Sequence, residues 1–473
     1  MKGRKKMFKK VDERIIDKLI NICGENDVLI NYEDLERYAQ DESGKFYAHL
    51  PEVVIRPESS EEVSRILKIA NENLIPVTPR GAGSGLVGGA IPLYGGIVLS
   101  MEKMNQILEI DKINLTVTSE PGVVTNDLCK KVAEEGLFYP GYPMSVETSF
   151  LGGNVATNAG GSKVIKYGNT GHHVLGLEVV LPSGEIINIG GKRRKDSSGY
   201  NLLHLFVGSE GTLGVFTKII VNLIPLPPYV VDLLIPFPTI ESAIYTVPKI
   251  ISESNVLPCA IEFLDQGSVY LASIYTKEKW EYQDKASAYL IIQFDGNNKN
   301  QLEEAYIRAG ETCLKEGALE VFVAENPFAS EKLWRIRRNY LEAIKAVDPY
   351  VVLGDAVVPT SLIPEMLKKI REIGEKYKVE IYNVAHAGDG NIHSAPIKPK
   401  DLSPEEWQPI QEKILNEISL IAGELGGAVS GEHGIGYVKK KILFLSKKKE
   451  VLLMKEIKKV LDPNGIMNPG KIF

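Results

Sequence analysis

Histidine is scarce in this chain, seven residues in all, and three of them fall in two glycine-flanked segments near the C-terminus. The first reads His386-Ala387-Gly388-Asp389-Gly390-Asn391-Ile392-His393, the second Gly431-Glu432-His433-Gly434-Ile435-Gly436. A spacing of seven does not put two side chains on one strand face. With glycines between them, however, the chain can fold back so that both imidazoles meet one ion. Two neutral imidazoles and a carboxylate make a divalent-metal site with positions left open for substrate, and such a set accepts zinc, iron or manganese. Glu432 is the natural third ligand, which leaves His433 unligated and placed to take a proton. A lone histidine is more often a buried hydrogen-bonding group than a catalyst; three in acid-containing glycine loops favour chemistry.

Glycine itself is concentrated in three earlier clusters. Gly83-x-Gly85-x-x-Gly88 matches a dinucleotide fingerprint, which requires a helix to open at the last glycine. The continuation, Gly89-Ala90-Ile91-Pro92-Leu93-Tyr94-Gly95-Gly96, cannot start one, so a Rossmann site is rejected. Successive backbone N–H groups without Cβ obstruction can still line an anion nest around a pyrophosphate. Gly152 to Gly161 and Gly208 to Gly214 are of the same kind. One such cluster reads as turns in irregular β structure, whereas three in one candidate domain point to a cofactor-phosphate site.

These segments need elements to hold them. Helical spacing of apolar residues runs from Val11 to Ile22. Ser59 to Glu62 reads as a capping box ahead of Val63, Ile66, Leu67 and Ala70 on one helical face. Strands are expected at Leu74–Thr78, Gly96–Ser100 and Leu115–Ser119. Ile224-Pro225-Leu226-Pro227-Pro228 reads as a domain boundary. Beyond it, strands at Val230–Pro236, Cys259–Leu264, Ala288–Phe294 and Leu319–Val323 alternate with helices at Ile240–Ser252 and Gln301–Lys315. That pattern predicts an antiparallel α+β domain of ferredoxin-like kind. Helices follow at Glu331–Ala346, Leu362–Lys376 and Ile410–Glu424. The expected division is residues 1–227 for the first domain (with an N-terminal extension, 1–40), 228–430 for a cap, and 431–473 returning to the first.

The 473 residues carry 55 Lys+Arg against 61 Asp+Glu, a net charge of −6 that argues against a nucleic-acid binder. No apolar run reaches the 18 or more residues of a membrane span, so no transmembrane segment is expected. The cysteines, Cys23, Cys129, Cys259 and Cys313, lack the short spacing of a zinc or iron–sulfur site and read as buried hydrophobes in a reducing compartment. The basic start (Lys2, Arg4, Lys5, Lys6, Lys9, Lys10) precedes an amphipathic stretch, not the apolar core of a signal peptide. A solvated tail and a cytoplasmic address are the expectation, with contact to an acidic partner as the alternative.

The segments PRGAGSGLVGGAIP (79–92), GGNVATNAGG (152–161), VLGLEVVLPSGE (174–185) and VGSEGTLGVFT (207–217) resemble the vanillyl-alcohol-oxidase/PCMH-type FAD-binding domain. The resemblance implies FAD, with cofactor contacts at Pro79, Arg80, Gly81, Ala82, Gly83, Ser84, Gly85, Pro121, Gly122, Gly152, Gly153, Asn154, Ala156, Asn158, Gly160, Gly161, Gly168, Glu210, Gly211 and Asn468. Many members attach FAD through a histidine in the first loop; Ser84 stands in the matching stretch here, so non-covalent FAD is expected. HAGDGNIH and GEHGIG resemble the metal and base segments of FAD-linked D-2-hydroxyacid dehydrogenases, which include D-lactate dehydrogenases, D-2-hydroxyglutarate dehydrogenases and the D-subunit of glycolate oxidase. The similarity runs from about Pro51 to Asn468-Pro469-Gly470-Lys471. It implies a divalent metal on His386, His393 and Glu432, with His433 as base.

Leu333-Trp334-Arg335-Ile336-Arg337 resembles a segment whose last arginine grips the substrate carboxylate, which gives Arg337 that role; a solvated face shared with Arg335 and Arg338 is the bland alternative. Dicarboxylate-specific members carry a lysine just before their Asp-x-x-x-Pro segment, where this chain has Leu353-Gly354-Asp355. Leucine favours a small monocarboxylate such as D-lactate over 2-hydroxyglutarate; glycolate is a further alternative. With no second redox motif, electrons are expected to leave to an external acceptor, and the resemblance implies electron-transferring flavoprotein. The rival readings are a transferase of the alkyl-dihydroxyacetone-phosphate-synthase kind and an inactive flavin-carrying subunit.

Overall fold

The computed structural model describes residues 8–324 and 326–473, so Lys2, Arg4, Lys5 and Lys6 of the basic start lie outside the described residues. The chain forms two compact units, one of residues 1–159, 169–226 and 433–473, the other of 160–168 and 227–432.

The first unit contains a four-stranded sheet in which Val53–Ile55 and Val77–Arg80 flank Ile97–Ser100 in parallel, and a five-stranded antiparallel sheet centred on Val215–Asn222. Helix Ser60–Asn73 packs Val63, Ile66, Leu67 and Ala70 into the core beside Ile15 and Leu19 of helix Glu13–Cys23. Ser59 caps it by accepting from the Glu62 amide at 3.3 Å. The expected reciprocal bond is absent: the Glu62 carboxylate takes the Glu58 amide at 2.8 Å instead, so this is a simple N-cap. The chain end returns to the same core, where Met467 bridges Val77 in parallel and Ile466 and Met467 are fully buried.

The second unit is built on one seven-stranded antiparallel sheet. Its first four strands in the chain, Tyr229–Phe237, Ala260–Asp265, Ala288–Gly296 and Phe322–Ala324, stand in the spatial order fourth, first, third, second, a ferredoxin-like arrangement. The hairpin Ile381–His386/Asn391–Pro396 extends it beside Ala260–Asp265. Strand alternation sorts the side chains. Ile261, Phe263, Leu290, Ile292, Ala385 and Ile392 enter a core shared with helices Ile240–Glu253, Lys299–Lys315 and Ile363–Tyr377. Each large apolar residue buried there contributes about 1.5–3 kcal/mol. Alternation sends Glu262 and His386 to the opposite face.

Two expectations are corrected by local geometry. The glycine cluster Gly152 to Gly161, read as turns or an anion nest, begins within a short helix, Leu151–Thr157, that ends at Asn158 in the left-handed region (φ 54°). The single helix expected over Glu331–Ala346 is two, Pro327–Arg338 and Tyr340–Val347, broken at Asn339. Residues 160–168 pack in the second unit because Lys166 and Tyr167 both bond Asp295, and Ile165 packs on Gly388.

Candidate active site

The two histidines of the first motif sit on neighbouring strands of one hairpin. Gly390, at φ 89°, lies in its turn, where a Cβ would come within 1.9 Å of the Val358 carbonyl oxygen, so only glycine fits. His386 pairs with Asn391 and His393 with Val384, which places the imidazoles diagonally on the same sheet face with ring centroids 5.4 Å apart. Both are buried.

Glu432 reaches this face from its own loop. Its Oε1 lies 3.1 Å from His393 Nε2 and 3.5 Å from His386 Nε2. Asp355 fixes that loop by accepting the Ser430 hydroxyl at 2.6 Å and the amides of Gly431 and Glu432 at 3.0 and 3.2 Å, and it also receives Asn391 Nδ2 at 2.8 Å. Gly431 has no room for a side chain, since a Cβ would lie 2.3 Å from Asn391 Nδ2. Gly160, expected at the cofactor, is likewise pressed against Glu432: its Cβ would come within 2.8 Å of Oε2.

No sequence motif marks Glu262. It stands directly across from His386 in the strand register, is fully buried, and its Oε1 lies 2.7 Å from His386 Nδ1. Its other oxygen accepts Arg337 Nε at 2.7 Å. Arg337 is thus no solvated residue: it is 4% exposed, whereas its neighbours Arg335 and Arg338 pair at the surface with Glu278 and Glu331. Its Nη2 is buried and makes no hydrogen bond among the described residues. The signal available in the sequence was one acid inside the apolar run Ala260-Ile261-Glu262-Phe263-Leu264, because a buried carboxylate must be paired.

Charge at the site follows from this packing. Burial pulls the His386 pKa down, but Glu262 and Glu432 outweigh it and hold the value at about 10. Burial pushes Glu432 up, and the two imidazoles more than reverse that, leaving it well below the carboxylate range. The ligating atoms of His386, His393 and Glu432 all lie within 4.8 Å of one another, and this set could hold a divalent cation. Locking Nδ1 on a carboxylate while Nε2 is left for a metal is the usual arrangement around metal-binding histidine, and His386 Nε2 is buried without a hydrogen bond among the described residues.

The glycine clusters meet in the first unit. A Cβ on Gly81 would lie 3.7 Å from Gly153, one on Gly211 3.1 Å from Pro79, and one on Gly152 2.6 Å from Pro121, while one on Gly122 would strike the Met101 carbonyl. Gly153 itself has open space where a side chain would project, as a ligand lying against the backbone requires. Arg80 is buried; it donates to the Gln40 carbonyl at 2.8 Å and fills the space beside Gly83, in the non-helical turn that also carries Ala82, Ser84 and Gly85. The Ala156 carbonyl accepts the Glu210 amide, Asn154 bonds Thr125, and Asn158 accepts from Gly171. Asn468 ties the chain end in by donating to Gly89 and Glu210 carbonyls at 2.9 and 2.8 Å. Buried Glu210 takes the amides of Ile435 and Gly436 at 2.7 Å each, anchoring the loop that carries His433. Gly160, Gly161 and Gly168 belong to the second unit.

Residues 51–190 match the FAD binding domain, and residues 226–472 match the C-terminal domain of FAD linked oxidases. The chain is 42% identical over 428 residues to glycolate oxidase subunit GlcD of Bacillus subtilis, covering 90% of each. It is 39% identical over 472 residues to a D-lactate dehydrogenase of Anaerostipes hadrus, covering 98% of each. The chain belongs to the FAD-linked D-2-hydroxyacid dehydrogenase family. Its fold is that of p-cresol methylhydroxylase with substrate bound, at a TM-score of 0.79 and 19% identity, covering 98% of each chain. As a member of this FAD-linked family it uses FAD, and the converging glycine backbone of its first unit is suited to that cofactor.

Proposed function

We propose that this FAD-dependent dehydrogenase oxidises a small D-2-hydroxyacid, D-lactate to pyruvate, with a divalent metal held by His386, His393 and Glu432. The observation that carries the reading is the buried chain Arg337–Glu262–His386, which aims one imidazole at Glu432 and leaves an arginine nitrogen for a carboxylate. When bound, the metal supplies Lewis-acid polarisation of the substrate oxygens and the flavin accepts two electrons. Arg337 Nη2 orients the substrate carboxylate, since a guanidinium can serve Glu262 and a second anion with different nitrogens. His433 accepts the hydroxyl proton; Glu210 orders its loop. Buried Leu353 offers no charge to a second carboxylate, which favours lactate over 2-hydroxyglutarate.

FAD is held without a covalent bond, since Ser84 lacks the nitrogen that would form one, and acid precipitation should release all of it. The cap is residues 228–430 joined by 160–168, and the FAD domain is the rest of 1–227 together with the C-terminal segment. Electrons pass to an external acceptor such as electron-transferring flavoprotein. His433→Ala tests the mechanism: it should keep FAD and metal yet lose flavin reduction by D-lactate, and reduction at the wild-type rate removes His433 from the reaction.

A further inference from the structure

The segment from Lys440 to Leu461 holds eight lysines against two glutamates in a chain whose net charge is −6. It folds as helices Lys440–Ser446 and Lys448–Leu461. Helices of a globular protein bury an apolar stripe, yet of the second helix only Val451 is buried. Leu453 and Val460, two turns apart on the face opposite Val451, are 64% and 79% exposed. Leu452 on the same helix and Leu445 on the preceding one are exposed as well. Lys449 and Lys459 stand among them, and Glu456, an acid on that face, is matched by Lys459 at 3.9 Å.

The start of the first helix has basic and aromatic neighbours of its own. Lys440 donates to the Gly470 carbonyl at 3.1 Å, and a Cβ on Gly470 would lie 3.0 Å from the Tyr94 ring. The Phe8 ring packs edge-on to Tyr94 at 5.3 Å, and exposed Lys9 and Lys10 follow it.

We infer that this face, centred on Leu452, Leu453 and Val460 and ringed by lysines, is an attachment surface for an anionic lipid bilayer. Exposed leucines interleaved with lysine suit the headgroup boundary, where aliphatic groups insert and ammonium groups meet lipid phosphate. Protein–protein interfaces are depleted in lysine and enriched in arginine, methionine and aromatic residues; the segment has exposed Phe444 and Met454 but neither arginine nor tryptophan, and its eight lysines weigh toward lipid phosphate. No described helix is long and apolar enough to cross a membrane, so the contact is with one leaflet surface. The inference is independent of which hydroxyacid is oxidised.

The test is flotation of the full-length, FAD-loaded protein with vesicles of phosphatidylcholine alone or with about one-third phosphatidylglycerol. The protein should float with the anionic vesicles at low salt, not with the neutral ones, and release as salt rises. Leu452→Glu/Leu453→Glu should cut the bound fraction by more than about tenfold while flavin reduction stays at the wild-type rate. Lys448→Glu/Lys449→Glu should remove the salt-sensitive part of binding. Wild-type protein that ignores anionic vesicles overturns the inference, as do variants that float like wild type. A complex with a soluble acceptor protein or a second copy, broken by the leucine variant in protein that does not float, assigns the face to a protein and also overturns it.

Discussion

Glu262 faces His386 across paired strands and holds its Nδ1 at 2.7 Å, so the ring's other nitrogen is turned toward Glu432. The same carboxylate takes Arg337 Nε, so one buried acid sets the direction of a proposed metal ligand and of a proposed substrate-binding arginine.

Glu262→Gln should therefore weaken divalent-metal binding about 10- to 100-fold, the usual effect of losing the partner of a ligating histidine. Chelator competition followed by elemental analysis reads this directly, with FAD content unchanged. Because the change strands a buried guanidinium, denaturant unfolding should show a loss of about 3–5 kcal/mol.

Arg337→Lys keeps a positive charge for Glu262 but loses the planar fork. KM for D-lactate should rise at least about tenfold with metal and FAD retained. Steady-state kinetics with an artificial acceptor checks it; an unchanged KM with lowered metal content restricts Arg337 to holding Glu262.

Gly431→Ala puts a methyl group 2.3 Å from Asn391 Nδ2 and 2.9 Å from Asp355 Oδ1, where those groups order the Glu432 loop. Stability should fall by about 1–3 kcal/mol, the range for overpacking a filled site. Metal content should fall with it while the flavin spectrum persists, since the glycine loops of the first unit are untouched.

The four thiols have pKa values pushed up to about 12, chiefly by burial. At pH 8 roughly one in ten thousand of each is thiolate, so native protein should react slowly with a thiol reagent and release four reactive groups on unfolding. An unfolded thiol titrates near 9.0, so above that pH the unfolded chain binds fewer protons than the folded one, and stability falls as pH rises toward 12. Denaturant melts between pH 8 and 10 should follow that slope.

The sequence carried the meeting of His386 with His393 and the ferredoxin-like class of the second unit because both depend on local pattern: glycines that let the chain fold back, and strands alternating with amphipathic helices; it did not carry the strands Ile381–His386 and Asn391–Pro396 that present the histidines. It did not carry Glu262, whose partner is set by register between strands more than a hundred residues apart. Residue type does not separate Arg335, Arg337 and Arg338, and only the resemblance singles out Arg337; successive helical residues are 100° apart, and packing decides which one turns inward. The glycine cluster that begins at Gly152 suggested turns or an anion nest, since glycine disfavours helices, yet close approach to Pro121 demands glycine within the helix Leu151–Thr157.

The reading as a D-2-hydroxyacid dehydrogenase is tested most directly by anaerobic mixing of the FAD- and metal-loaded protein with D- and L-lactate while the visible flavin absorbance is followed. D-lactate should bleach the flavin and L-lactate should not; a flavin left oxidised by D-lactate and by every other D-2-hydroxyacid offered refutes that activity.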